Sequence, residues 1–430
     1  MECTTKKLPK GMIELTITVG QEEIAGTLEK AAQEISKEKP LEGYRPGKAG
    51  FEAVAKRYGE QVVYEAALPQ IVQRYYVKAV KDNDLPTYGE PEVNVTKLAA
   101  GNPVEFTCTV ALIPEVSNLA DPADLKIEST EPKVEDKEID GTLKELQKMQ
   151  TKEIRAAREV QDKDKIVVDM DIKKDGVDIE GGQARDHGIY LDEDYYVPGL
   201  KEQVVGMKEG DTREFKLKFP KDHFQKMLAG SEAEFKVTVK EIYELQHPEL
   251  NDDFAKSLGQ ESMAKMRELL EGNILKDKTQ KEQQRIEGQI LEKMVAKSRF
   301  GDIPERMINT EVDRMMHELQ HSVAERGLKF EDYLQNIKKT EEEMRLEFAK
   351  QAMDRVKVAL VVREYGLREK VEVNDSDVMK EVETLINHYD KDPEAQKTIQ
   401  TEEYQDYIRT NLKNRKVVEM LREKANVVTK

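Results

Sequence analysis

Hydrophobic and polar positions alternate strictly over residues 12–19, MIELTITV, which is the two-residue period of a half-buried strand. The period then lengthens. Ile24, Leu28, Ala31 and Ile35 recur at helical spacing, so residues 21–36 are expected to form an amphipathic helix. A second helical pattern opens with Phe51, Val54 and Tyr58, and helix is expected again over 61–82, with Pro69 as a kink or break. Residues 91–97 and 104–112 return to alternation. These elements predict one compact α+β unit over residues 1–115.

Residues 116–160 are charged and carry only a sparse apolar stripe, Leu143, Leu146 and Met149, so a mostly helical linker or arm is expected. The pattern changes at Asp164. KIVVDMDI, REFKLKF (213–219) and AEFKVTVKEIY (233–243) alternate, Asp175-Gly176 is a hairpin signal, and glycines punctuate the stretch. A small antiparallel β domain over 161–246 follows from this. From 247 to 430 helical patterns recur without a convincing strand, broken near 301–304, 327, 374–376 and 392–393. Ten of the sixteen methionines fall in this last part. A flexible thioether suits either a helical core or a surface that accepts many apolar shapes.

Composition narrows the class. Charged residues make up 36% of the chain, hydrophobic residues 38%, and the net charge is −17. That excess argues against a general nucleic-acid binder, so any contact with nucleic acid must be local. Cys3 and Cys108 are the only cysteines, which supports neither a disulfide framework nor a cysteine zinc site, and Cys3 is expected in a loose N-terminus. No apolar run is long enough to span a bilayer, and the first residues lack the apolar stretch of a secretion signal, so a cytoplasmic protein without membrane partners is expected.

Against that acidic background, LEGYRPGKAG (41–50) sets Arg45 and Lys48 around Pro46-Gly47, with Tyr44 beside them. Pro followed by Gly at the centre of a four-residue unit signals a type II turn, which would hold both cations at a stiff surface tip. A nucleotide loop is excluded. Gly43, Gly47 and Lys48 are spaced one residue too short, and Ala49 stands where Ser or Thr would hold magnesium.

The segment GYRPGKAGFEAVAKRYG (43–59) resembles the signature of the trigger factor family. DGVDIEGGQARD, VPGLKEQVVGMKEGDTREFKLKFP and LAGSEAEFKVTVKEI are similar to an FKBP-type peptidyl-prolyl isomerase inserted into that architecture. The resemblance implies an α+β multidomain chain. It would comprise an N-terminal α+β ribosome-binding domain (1–115), a helical arm (116–160), an FKBP-like antiparallel β domain (161–246) and an all-α C-terminal chaperone domain (247–430).

The same resemblance implies a chaperone that works without ATP or other cofactor. Its partners would be the large ribosomal subunit near the exit tunnel, through protein and RNA, and nascent or unfolded polypeptides; DNA is not among them, and a weak homodimer stays open. Gly43, Tyr44, Arg45, Pro46, Gly47 and Lys48 would form the ribosome anchor, with Lys37, Lys39, Lys56 and Arg57 adding salt-sensitive attraction. The family usually has a basic residue where Pro46 stands and a proline where Gly50 stands. In the isomerase, the resemblance maps the prolyl pocket to Met170, Ile179, Val197, Leu200, Phe219, His223 and Phe235, with Glu180 near the substrate carbonyl. Only Phe219 and Phe235 keep the family's aromatic character, so weak activity is expected. The alternative is a stand-alone isomerase or holdase that does not dock on ribosomes.

One motif competes. Residues 317–321, HELQH, match H-E-x-x-H, which on a helix puts His317 and His321 on one face with Glu318 as a base. The flanking sequence is a charged amphipathic helix, so no metal is assigned, although incidental affinity of two exposed histidines stays open. Phe254, Phe300, Phe330, Tyr333 and Phe348 are candidates for client contact that could equally be core.

Overall fold

The computed structural model describes residues 1–174, 176–193, 197–220 and 228–429, without the side chains of residues 178 and 180. The chain forms two units, residues 1–131 with 282–430, and residues 132–281.

In the first unit, strands β1 (Glu2–Leu8) and β2 (Met12–Val19) form an antiparallel hairpin. Helices α1 (Gln21–Glu38), α2 (Phe51–Tyr58) and α3 (Glu60–Asp82) follow. Strands β3 (Thr87–Lys97) and β4 (Val104–Leu112) complete a sheet in the order β1-β2-β4-β3. The helices bury Ile24, Ala31, Val63, Ile71 and Tyr75 against Leu15, Ile17, Phe106 and Val110 of the sheet. This is the α+β architecture that the alternation predicts.

Two local expectations are corrected. The N-terminus is not loose: β1 pairs along its whole length with β2, and Cys3 lies opposite Ile17. Most of β1 is solvent-exposed, so it carries no two-residue signal. Pro69 does not break α3, because Ala67 and Ile71 on either side are fixed in the core.

Residues beyond 115 are less helical than expected. Strand β5 (Val116–Asn118) is followed by β6 (Lys126–Ser129), and in the second unit α4 (Asp136–Met149) by β7 (Lys152–Arg155). Partners distant in sequence make β5 and β6 into strands. Arg299 and Phe300 form β12 and pair with β5, while the final strand, β13 (Asn426–Thr429), runs parallel to β6.

The second unit contains β8 (Lys165–Lys174), β9 (Val177–Tyr190), the short helix α5 (Leu200–Val204), β10 (Thr212–Lys218) and β11 (Glu232–Gln246). These strands form an antiparallel sheet in the order β10-β11-β8-β9, and β7 pairs with β11. Helix α6 (Asp252–Ser257) and the start of α7 (Met263–Lys297) pack on α4 through Leu143, Phe254 and Met266.

The C-terminal region is helical: α8 (Glu305–Glu325), α9 (Phe330–Ile337), α10 (Glu341–Arg368), α11 (Asp375–His388), α12 (Pro393–Ile399) and α13 (Glu402–Lys424). Its methionines are mostly core. Met315, Met316 and Met344 bury one cluster with Val312 and Ala352, and Met294 another with Tyr365 and Leu421. Phe254 is buried, and Phe300, Phe330 and Phe348 pack against clusters of buried side chains. The large apolar side chains left exposed are others, among them Leu346, Leu367, Met379 and Tyr407. Among the described residues no helix is long and apolar enough to cross a membrane.

Candidate functional site

The stretch between α1 and α2 folds as two consecutive turns. The Tyr44 amide donates to the Leu41 carbonyl at 3.1 Å, and the Lys48 amide to the Arg45 carbonyl at 2.9 Å. Gly43 and Gly47 occupy the third position of these turns with φ of +86° and +79°, the conformation a type II turn demands there. Leu41 and buried Ala49 anchor the stretch to the core. Tyr44 is 49% exposed, and Arg45, Pro46 and Lys48 project into solvent.

The far side of the tip is braced by α1. Glu29 accepts from the Phe51 amide at 2.8 Å, placing a carboxylate at the N-terminal end of α2, where the helix dipole favours it. A Cβ at Gly50 would lie 2.5 Å from the same carboxylate, so glycine leaves the brace undisturbed. Lys39 sits 5.9 Å from the centre of the Tyr58 ring.

Among the described residues, Arg45, Lys48, Lys56 and Arg57 make no ion pair with a carboxylate. Many cations elsewhere are paired, as in Arg285–Glu282 at 2.7 Å and Lys424–Glu369 at 2.7 Å. The tip is therefore a local concentration of unspent positive charge on an acidic chain.

The second candidate lies in the β domain. Val197, Leu200, Phe219 and Phe235, together with Met170 and Ile179, belong to one apolar cluster. Leu200, Phe219 and Phe235 are buried, while Met170, Ile179 and Val197 are partly exposed at its margin. Gly199 turns the chain into α5 with φ of +92°, and a Cβ there would lie 2.8 Å from Leu217 Cδ2. His223 and the Glu180 side chain fall outside the described residues.

The structure adds Phe215, which stacks on Phe235 at 5.8 Å opposite it in register; Phe219 stacks on Phe235 at the same centroid distance. The signal was present, since Phe215, Leu217 and Phe219 share one face of an alternating strand.

A buried charge pair closes the loop that enters this domain. Asp164, 3% exposed, receives Arg158 Nη1 at 2.6 Å and Nη2 at 2.9 Å, and also accepts from the Gln161 amide at 2.8 Å. The paired carboxylate pushes the Arg158 guanidinium above its usual value. The Asp164 carbonyl accepts from the Leu191 amide at 2.9 Å, tying the loop to the end of β9.

The H-E-x-x-H segment lies on α8. His317 and His321 are exposed, His321 faces Glu325 at 3.3 Å, and Glu318 is engaged by Arg355 at 3.0 Å. A carboxylate held by a guanidinium is poorly placed to act as a base. Among the described residues no group of three His, Cys, Asp or Glu side chains is arranged to hold a metal ion.

The family model described as bacterial trigger factor protein matches residues 1–146, and its C-terminal counterpart matches 262–423. Full-length similarity is decisive. A trigger factor of Carboxydothermus hydrogenoformans is 31% identical over 430 residues, covering 100% of both chains. The chain belongs to the trigger factor family. Trigger factors of Halalkalibacterium halodurans (30% identity, 96% of this chain and 97% of the relative) and Staphylococcus epidermidis (31%, 96% and 95%) agree. The model for FKBP-type peptidyl-prolyl cis-trans isomerases matches residues 156–243, which span the antiparallel sheet and its aromatic stack. The trigger factor architecture thus carries an isomerase-type domain between its N- and C-terminal parts.

Proposed function

We propose that this protein is a ribosome-associated chaperone that docks through the 43–48 tip near the exit tunnel of the large subunit and shelters emerging polypeptides. The observation that carries the reading is the exposed, turn-held tip with Arg45 and Lys48 unpaired. Two cations on a stiff turn reach RNA phosphates or protein carboxylates with little ordering cost, and Tyr44 adds an aromatic contact. Pro46 fixes its own φ, which offsets part of the loss of the basic residue common at that position in the family. Exposed apolar side chains of the helical region, such as Leu346 and Tyr407, supply weak client contacts within a highly charged surface. No step calls for ATP, because release follows chain growth and folding. Residence in the cytoplasm follows from this role.

The β domain is proposed to accelerate Xaa-Pro isomerisation. The barrier is roughly 20 kcal/mol and needs neither nucleophile nor metal, only an apolar site that favours the twisted amide. Val197 and Ile179 at the margin and the Phe215–Phe235–Phe219 stack beneath supply that environment. Arg45→Ala with Lys48→Ala is expected to abolish co-sedimentation with ribosomes while leaving proline-limited refolding of a client as fast as with the unaltered protein. Unchanged co-sedimentation would refute the anchor, and no acceleration of refolding by either protein would refute the isomerase.

A further inference from the structure

Beside the tip, residues of α1, α2 and α3 line a groove of about 590 Å³, inside the range of roughly 300–1,000 Å³ typical of ligand pockets. Three aromatic side chains contribute to it: Tyr44 of the tip, Phe51 at the start of α2 and Tyr64 of α3. Phe51 and Tyr64 meet edge to face at 6.4 Å, with their planes 67° apart. Tyr64 is buried, and its hydroxyl accepts from the Gly101 amide at 3.4 Å, so its polar end has a partner. Leu28 of α1 adds an aliphatic side chain to the lining.

Two carboxylates share this groove, Glu29 of α1 and Glu52 in the first turn of α2. Both are exposed, and among the described residues neither forms an ion pair with a cation. Glu29 is held there by the Phe51 amide, which it accepts through Oε2, and by the missing Cβ of Gly50, which would crowd it. A cavity that combines aromatic rings with uncompensated carboxylates repels phosphate. It also suits a purely aliphatic visitor badly, because covering it would strip water from both carboxylates. Its complement is a guanidinium, which stacks on aromatic faces and binds carboxylate oxygens through a planar fork.

The groove's place beside the tip supplies the partner. Tyr44 belongs to both, so a surface that receives the tip also faces the groove. We propose that the groove receives an arginine side chain of a ribosomal protein, set against the aromatic lining with its charge met by Glu29 and Glu52. Arg45 and Lys48 then select anions while the adjoining groove selects a cation, and this change of sign over a short distance fixes the register of docking. The inference rests on the ribosome-docking reading above.

The deciding variant is Glu52→Lys in the full chain. General electrostatic attraction predicts that a cation added to a chain of net charge −17 raises its affinity for ribosomes, whereas loss of the arginine contact lowers it. Ribosome pelleting should show affinity falling about two- to fivefold in Glu52→Gln, the worth of one partly exposed ion pair, and about five- to tenfold in Glu52→Lys. Unchanged affinity in Glu52→Lys overturns the proposal, and so does raised affinity, the result for a groove that faces RNA phosphate. A second readout does not need the ribosome. In methyl NMR of the full chain, the Leu28 and Ala53 signals should shift on addition of a Gly-Arg-Gly peptide blocked at both ends, and not with the same peptide carrying uncharged citrulline in place of arginine. Glu29→Gln with Glu52→Gln should lose the response. No shift, equal shifts with both peptides, or a response that survives in the double variant overturns the arginine site. Ribosome binding left intact by Arg45→Ala with Lys48→Ala would instead sink the docking reading, and the peptide titration would still decide the groove.

Discussion

Replacing Arg158 with Met isolates the contribution of the buried pair at the entrance to the β domain. Asp164 has 4% of its side chain exposed and holds the guanidinium through two bonds of 2.6 and 2.9 Å. After the substitution only the Gln161 amide, at 2.8 Å, still donates to that carboxylate. Breaking a buried pair costs about 3–5 kcal/mol. Arg158 itself is 29% exposed, with Glu244 at 3.6 Å on its outer side, so solvent screens part of the loss and about 2–3 kcal/mol is expected. The loop also holds the Leu191 amide, so the loss should appear at the end of β9 as well as in β8. Hydrogen exchange on the full chain reads this locally, which suits a multidomain protein without a single unfolding transition. Amides of β8 and of residues 189–193 should exchange about 30- to 150-fold faster, at tenfold per 1.4 kcal/mol. Adding Asp164→Asn should recover at least half of the loss, because the amide still accepts from Gln161 and carries no charge. Acceleration below about threefold, or no recovery in the double variant, would show that the pair does not hold this loop.

Three further outcomes follow from single sites. Gly47→Ala forces a side chain into φ of +79°, which costs about 1–2 kcal/mol, so ribosome affinity should fall roughly five- to thirtyfold while exchange in β2 and β4 stays unchanged. Glu282 accepts from Arg285 and from the Thr130 amide, which hold its carboxyl down to about 2. A lowered folded-state value contributes stability above the unfolded carboxylate's range and loses it as pH falls toward 2. The stability deficit of Glu282→Gln, followed by exchange in β6, should therefore be full at neutral pH and shrink on acidification. Phe215→Ala removes one side of the aromatic stack and should destabilise the β domain by about 1–3 kcal/mol, less than Phe235→Ala at about 3–5 kcal/mol, as read from exchange in β11.

What was legible in the sequence was local chemistry. Pro46-Gly47 specifies its turn within four residues, and the alternation in β2 and β4 specifies a face, so tip and sheet could both be anticipated. Strands made by remote partners could not. Nothing in KIES at 126–129 marks it as strand until Asn426–Thr429 pairs with it from the other end of the chain. Strand β1 hid for a different reason, because an edge strand with little burial has no period to read. Phe215 went unassigned although its alternation was visible, since the family pattern marks pocket positions one by one and not the strand face they share. The methionines were ambiguous by nature: Met315 and Met316 fill a helical core with the same side chain that suits an adaptable surface.

Whether the tip is an electrostatic anchor is decided by ribosome binding as a function of salt. Log affinity of the unaltered protein should fall linearly with log salt, and Arg45→Ala with Lys48→Ala should bind more weakly with a slope shallower by about 1–2. Equal affinity and equal slope for the two proteins would rule the anchor out.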